Sequence, residues 1–259
     1  MMKVLHILLL AATFSILTFN VTHGGKIIHG EKAKKSSLQY MASVQFYGVH
    51  ICGGFLINPS YVLTAAHCGI DHLSVVLGTH NIDPGSNNNL RRYRVQSKHI
   101  HPSYWKQPSH GFDIMLLKLS DKVNLNDEDV KIIKIPSKHH LVKPNIKCDV
   151  AGWGRTENKP QVNDLMVTLV PIINITVCKK KWDEVDIQLP ANVLCAGGYE
   201  TGSGACQGDS GGPLVCNGLA VGIVSFNYNR NCNYPNVPNV YTDISAYADW
   251  INKVIEEDA

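Results

Sequence analysis

The hydrophobic pattern divides the chain into three textures. Apolar residues first run almost unbroken from Val4 to Phe19, behind Lys3, and small or polar residues follow to Gly24. A basic residue, an apolar stretch and a small-residue exit predict a secretory signal peptide over residues 1–24. From Tyr40 onward the pattern shortens to brief β-rich runs separated by Gly, Pro and Asn turns: Met41 to Phe46, Phe55 to Ile57, Val62 to Ala66 and Leu73 to Leu77. Such runs, with no long amphipathic helix between them, predict an all-β sandwich or barrel. The last texture is helical. After Asp243 and Ser245, either able to cap, Tyr247, Trp250, Ile251, Val254 and Ile255 recur at three- and four-residue spacing, which predicts a packing helix at the C-terminus. No segment beyond the first is apolar for long enough to cross a bilayer, so a secreted or granule-stored protein with no membrane partner is expected.

Composition sharpens this picture. Charged residues make up 17% of the 259, against about 25% in an average soluble domain, which suits one compact unit or two small barrels with a large core. The formal charge is only +3, and Lys3 and Lys26 lie in the segment expected to be removed. That argues against a nucleic-acid partner. Lys32, Lys34 and Lys35, Arg91, Arg92 and Arg94, and Lys179 to Lys181 are local clusters whose ordinary fate is a solvated face, with a glycosaminoglycan as the alternative partner. All eight cysteines follow residue 24. An even number in an oxidising compartment points to disulfides rather than metal, although spacing alone leaves the pairing open. His99 with His101 and His139 with His140 lack the matched further ligands of a zinc site, so neither metal nor cofactor is expected. Asn174-Ile175-Thr176 is a glycosylation sequon, whereas Pro59 disqualifies Asn58.

The chemistry concentrates in GACQGDSGGP, from Gly204 to Pro213. Glycines at 208, 211 and 212 permit a sharp turn on which Ser210 stands exposed, with the amides of Gly208 and Ser210 free to donate. A serine hydroxyl needs a base, and the base needs an orienting group. His67 in LTAAHC follows a strand-like run, and Asp113 heads the apolar run DIMLLKL. LTAAHC, DIMLLKL and GDSGGP, in that order, resemble the trypsin-like (chymotrypsin-fold) serine proteases. YMA at residues 40–42, CGGFLI from Cys52 and LGTHNI from Leu77 look like the granzyme, chymase and cathepsin G branch.

The resemblance implies two packed six-stranded antiparallel barrels with a C-terminal helix. The peptidase domain would run over 27–259, with barrels at 27–135 and 136–244 and the helix at 245–259. Protein or peptide substrates and protein inhibitors of serine proteases would be its partners, and the chain would be a monomer. Catalytic roles fall to His67, Asp113 and Ser210, with Gly208 and Ser210 forming the oxyanion hole and Ser225 bonding Asp113. Residues 25–26 become an activation dipeptide: cleavage after Lys26 frees the Ile27 amine, which pairs with Asp209. The implied disulfides are Cys52–Cys68, Cys148–Cys216, Cys178–Cys195 and Cys206–Cys232, of which some members of that branch lack the last. The specificity pocket would hold Gly204, Asn227 and Asn239. Gly204 stands where trypsins place an aspartate, so an arginine or lysine would enter unpaired, and uncharged side chains are expected instead. Thr79 and Asn87 to Asn89 occupy a loop that carries acidic ligands in calcium-binding relatives, so calcium binding is not expected.

Overall fold

The computed structural model describes residues 30–85, 90–156, 158–232 and 237–258. The signal and activation segments, Ile27 and the Asn87 to Asn89 loop therefore lie outside the described residues. Thirteen strands lie among the described residues: β1 (Glu31–Lys32), β2 (Met41–Phe46), β3 (Val49–Asn58), β4 (Tyr61–Thr64), β5 (Leu73–Leu77), β6 (Arg91–Ile100), β7 (Met115–Leu119), β8 (Lys147–Gly152), β9 (Met166–Ile173), β10 (Val193–Ala196), β11 (Pro213–Cys216), β12 (Leu219–Phe226) and β13 (Asn239–Asp243). Helix α1 spans Ile175–Asp183 and α2 spans Ala248–Glu257.

β2, β3, β4, β7, β6 and β5 close into one barrel. β8, β9, β10, β13, β12 and β11 close into a second, since β8 pairs with both β9 and β11. Every strand pair is antiparallel. The burial pattern shows which walls face the neighbouring barrel. β6 alternates half-buried and exposed residues over Arg91 to Gln96, the signature of a strand with one wet face. β2 instead buries Met41 to Gln45 without a break. Its even positions Ala42 and Val44 enter the first barrel's core, while Met41 packs with Ala151 and Trp153 of the second half of the chain.

The two ends of the described chain exchange sides. β1 comes from the segment that supplies the first barrel, yet pairs with β9 of the second through Glu31 to Val167 and Lys32 to Met166. Conversely α2, which follows the second barrel, drives Ile251 into the first barrel's core and brings Asp258 to within 2.9 Å of the Tyr61 hydroxyl, which donates to it. Asp243 caps the short 3-10 turn Ile244–Tyr247 before α2 by accepting from the Ser245 amide. Helix α1 begins at Asn174, whose side chain accepts from the Thr176 amide. No β-run pattern revealed it, because only Cys178 and Trp182 are buried along its nine residues.

Four disulfides form, Cys52–Cys68, Cys148–Cys216, Cys178–Cys195 and Cys206–Cys232, the set implied by resemblance. No cysteine remains free.

Candidate active site

The site lies where the barrels meet, and each polar member reaches it from a different element. β4 ends at Thr64, and a single 3-10 turn, Ala66–Cys68, carries His67 into the cleft. The Cys52–Cys68 bond ties that turn back to β3. Asp113 sits just before β7, its side chain 1% exposed. One of its oxygens accepts from the His67 backbone amide at 3.0 Å, and the other meets His67 Nδ1 at 2.8 Å. A carboxylate can only accept here, so Nδ1 carries the proton and Nε2 is left as the acceptor of the neutral ring.

The second barrel completes the aspartate's surroundings. The Ser225 hydroxyl on β12 donates to Asp113 Oδ2, and the Thr242 hydroxyl on β13 donates to the Asp113 carbonyl at 2.9 Å. A buried carboxylate needs such partners, because an unsolvated charge without them is costly. Asp113 is thus held by both barrels at once. His67, 23% exposed, faces the cleft that Ser210 also lines. No hydrogen bond joins His67 Nε2 to the Ser210 hydroxyl in this resting geometry, a contact that commonly tightens only with substrate in place.

Ser210 is set by a chain of backbone constraints. Gly208 has φ of +93°, and a Cβ there would stand 2.8 Å from the Gly154 Cα. Gly211 has φ of +81°, with Thr64 Oγ1 only 2.1 Å from where a Cβ would be. The Gln207 carbonyl accepts from the Arg155 amide at 2.7 Å, and the Asp209 carbonyl accepts from the Gly212 amide at 2.9 Å. Because a trans peptide points its N–H opposite its carbonyl, these bonds aim the Gly208 and Ser210 amides the other way. Neither amide donates to any described residue. Two parallel free donors beside a hydroxyl are suited to an oxyanion.

Asp209 turns inward and is fully buried. Its carboxylate accepts from the Gly154 and Cys206 amides, both at 2.9 Å, and glycines at 152 and 154 leave room for it. Burial nevertheless pushes its pKa up to about 7, against the pull of those two amide bonds.

One part of the site escaped sequence reasoning. His50 on β3 donates from Nε2 to the Gly208 carbonyl at 2.9 Å. Its Nδ1 then accepts from the Ser43 hydroxyl at 2.8 Å, and Ser43 accepts from Gln45 Nε2 at 3.0 Å. This buried relay pins the peptide between Gly208 and Asp209. The signal was the odd register of β2, where Ser43 and Gln45 fall on the face that also holds buried Met41.

The cleft holds about 630 Å³. Trp182, Ala205, Val224, Phe226, Asn227 and Asn239 line it, together with Ile51 and Ile70. Asn239, 2% exposed, forms the floor, donating from Nδ2 to the Ala205 carbonyl at 3.1 Å. Its Oδ1 is buried and makes no hydrogen bond of normal geometry. The structure places Gly204 differently from Asn227 and Asn239: it is buried and does not line the cleft. Cys52 and Cys68 lie with His67 in ligand-like proximity, but their sulfurs are joined to each other and offer no thiolate. Asn174 is an exposed residue whose side-chain oxygen makes the helix-cap bond.

A polarised imidazole, a serine in the same cleft and a pair of free amides define the class of serine hydrolases that work through an oxyanion. Residues 27–251 match the trypsin family, and the chain belongs to it. It is 39% identical over 241 residues to granzyme-like protein 2 of Rattus norvegicus, covering 91% of this chain and 92% of that one. Against mast cell protease 3 of Ovis aries the identity is 37% over 237 residues, with 90% of each chain covered. The solved structure of neuropsin, described as a serine protease expressed in the limbic system of mouse brain, superposes with a TM-score of 0.78 at 32% identity, covering 88% of this chain and 99% of that one. The chain is therefore a serine-type endopeptidase, near the granzyme and mast-cell members, that takes protein substrates.

Proposed function

We propose that the protein is a secreted or granule endopeptidase that hydrolyses peptide bonds after an uncharged side chain, with Ser210 as nucleophile, His67 as base and Asp113 as its orienting acid. The observation that carries this reading is the His67 Nδ1–Asp113 bond of 2.8 Å facing a cleft that also holds Ser210 and two undonated amides. Ser210 Oγ attacks the substrate carbonyl as His67 Nε2 takes its proton. The carbonyl oxygen, now an anion, accepts from the Gly208 and Ser210 amides. His67 then protonates the departing amine, and water repeats the sequence to free the acid. Ser225 supports the Asp113 charge.

The expectation of uncharged specificity rests on the cleft's wall. No aspartate or glutamate lines it among the described residues, so a substrate lysine or arginine would lose its hydration without a counter-charge. Asn239 on the floor and Asn227 on the wall shorten and narrow the pocket. Its Gly204 acts by lacking a carboxylate rather than by touching substrate. A medium-sized side chain, apolar or able to hydrogen-bond Asn239, fits that lining.

The buried Asp209 supports synthesis as a zymogen. A buried carboxyl with a pKa near 7 needs a cation to stay ionised, and the Ile27 amine released by cleavage after Lys26 would supply it. Asn174, exposed at a helix cap, would carry a glycan. Serine protease inhibitors are the expected protein partners, and a glycosaminoglycan would engage the exposed lysines and arginines. Secreted protein expressed in eukaryotic cells should begin at Ile27 once activated and lose mass on glycosidase treatment. An active product still carrying Gly25-Lys26 would count against the zymogen reading.

The direct test is cleavage of an unbiased peptide library by protein beginning at Ile27, with Ser210→Ala as control. Cuts after one class of uncharged residue are expected, and none from the variant, which should melt at the wild-type temperature. Dominant cuts after lysine or arginine would overturn the specificity. Cleavage by Ser210→Ala at the wild-type rate would overturn the assignment of the nucleophile.

A further inference from the structure

Among the described residues, Arg230 is the one lysine, arginine, aspartate or glutamate that lines the cleft. It occupies a tight turn from Tyr228 to Asn231, closed by the Asn231 amide donating to the Tyr228 carbonyl at 2.9 Å. Both central residues are left-handed, Asn229 with φ of 50° and Arg230 with φ of 54°. Asparagine tolerates that conformation, but the next position of such a turn ordinarily takes glycine, and a branched-off Cβ there is strained. Backbone strain that persists at a cleft is grounds for a functional hypothesis. The Cys206–Cys232 bond fastens this turn to the Ser210 segment, and Asn227 precedes it on the wall.

Arg230 also lacks the partner that would explain it as an ordinary surface ion pair. It forms no salt bridge with any described residue, whereas Arg91, Lys32, Lys98 and Lys118 all do. It is exposed, while Asn239 at 2% and Ala205 at 3% lie deep. The guanidinium therefore belongs to the rim of the cleft and not to its floor.

We infer that Arg230 is a specificity residue that pairs with an acidic side chain, aspartate or glutamate, carried by the substrate next to the residue that fills the Asn239 pocket. This rests on the protease reading and adds a second requirement to it: an uncharged primary residue flanked by an acid. A guanidinium at the exposed rim gives a modest, salt-sensitive pairing, and its planar fork matches a carboxylate.

The test uses matched peptides built on a site cut in the library, with glutamate or glutamine at each position flanking the primary residue. At low salt the glutamate peptide should have a kcat/KM about three- to tenfold higher at one of these positions, expressed mainly in KM. Arg230→Gln should bring that ratio to about one, Arg230→Lys should retain part of it, and Arg230→Glu should invert it. High salt should shrink the wild-type ratio. Melting temperatures of the three variants guard against a folding artefact. A wild-type ratio of one at every flanking position, or a ratio that survives Arg230→Gln, would overturn the inference while leaving the protease reading intact. Failure to cut any peptide of the library would overturn both.

Discussion

Gly211 shows how little freedom the turn around Ser210 has. Its φ of +81° is left-handed, and an added Cβ would meet Thr64 Oγ1 at 2.1 Å and the Gly53 carbonyl at 2.5 Å. The obstacle is partly backbone of β3, which is itself hydrogen-bonded to the Ser210 carbonyl by the Gly53 amide at 2.8 Å. Gly211→Ala should therefore lower unfolding stability by at least about 2 kcal/mol and misplace Ser210. Chemical denaturation with peptide hydrolysis checks both, and a variant with unchanged midpoint and rate would refute this account of the turn. At this scale the residues of the proposed triad stand out in the sequence: His67 and Asp113 sit beside apolar runs, and Ser210 lies among glycines. Gly204 was legible only as a missing carboxylate, since its burial away from the cleft lining belongs to the folded chain. Arg230 was not legible: among Asn229, Asn231 and Asn233 it has the look of a polar surface turn, and only the paths of β12 and the Cys206–Cys232 bond bring it to the cleft.

Elements position these residues through buried polar contacts, and the β2–β3 hairpin is the clearest case. Gln45, Ser43 and His50 run in series to the Gly208 carbonyl. Burial lowers the His50 pKa from 6.5 to about 4, against a backbone bond that raises it. A histidine whose folded pKa lies below its unfolded value favours folding fully above the unfolded pKa. As pH falls from about 6.5 to 4 the unfolded chain binds the proton and the folded one does not, so stability falls. The contribution lost is up to about 3 kcal/mol. Wild type should show a falling melting temperature over that window, and His50→Gln a flatter one. Equal slopes would show that His50 is not the titrating group. Sequence could not supply this relay, because polar residues in a strand are ordinarily assigned to the wet face, and here that face is covered by the second barrel. Strand existence was far easier: β2 and β5 were predicted at their observed bounds, while β3 and β4 were found with shifted ends. Helix α1 stayed hidden because its buried residues, Cys178 and Trp182, are only two.

Across the whole molecule, the site is a product of how the barrels are joined. His67 and Asp113 come from the first barrel and Ser210 from the second, and Ser225 and Thr242 reach back to Asp113. The exchange of ends, β1 onto the second barrel and α2 onto the first, fastens the halves from outside. α2 was foreseen as an amphipathic packing helix, but the two residues of β1 carry no pattern from which its cross-barrel pairing could be read. The same join explains why Asp113 can stay buried next to an imidazole: each barrel contributes part of its hydrogen-bonding shell, and neither alone would satisfy it.

The central claim is that Ser210 is activated by His67 held by Asp113. It is tested most directly by reacting protein that begins at Ile27 with a fluorophosphonate ester and following the intact mass. The account predicts one adduct per chain, mapped to Ser210, forming at a rate reduced about 10⁴-fold by Asp113→Asn and brought close to the background of unactivated serines by His67→Ala. Labelling of His67→Ala at the wild-type rate, or an adduct on another serine, would contradict it.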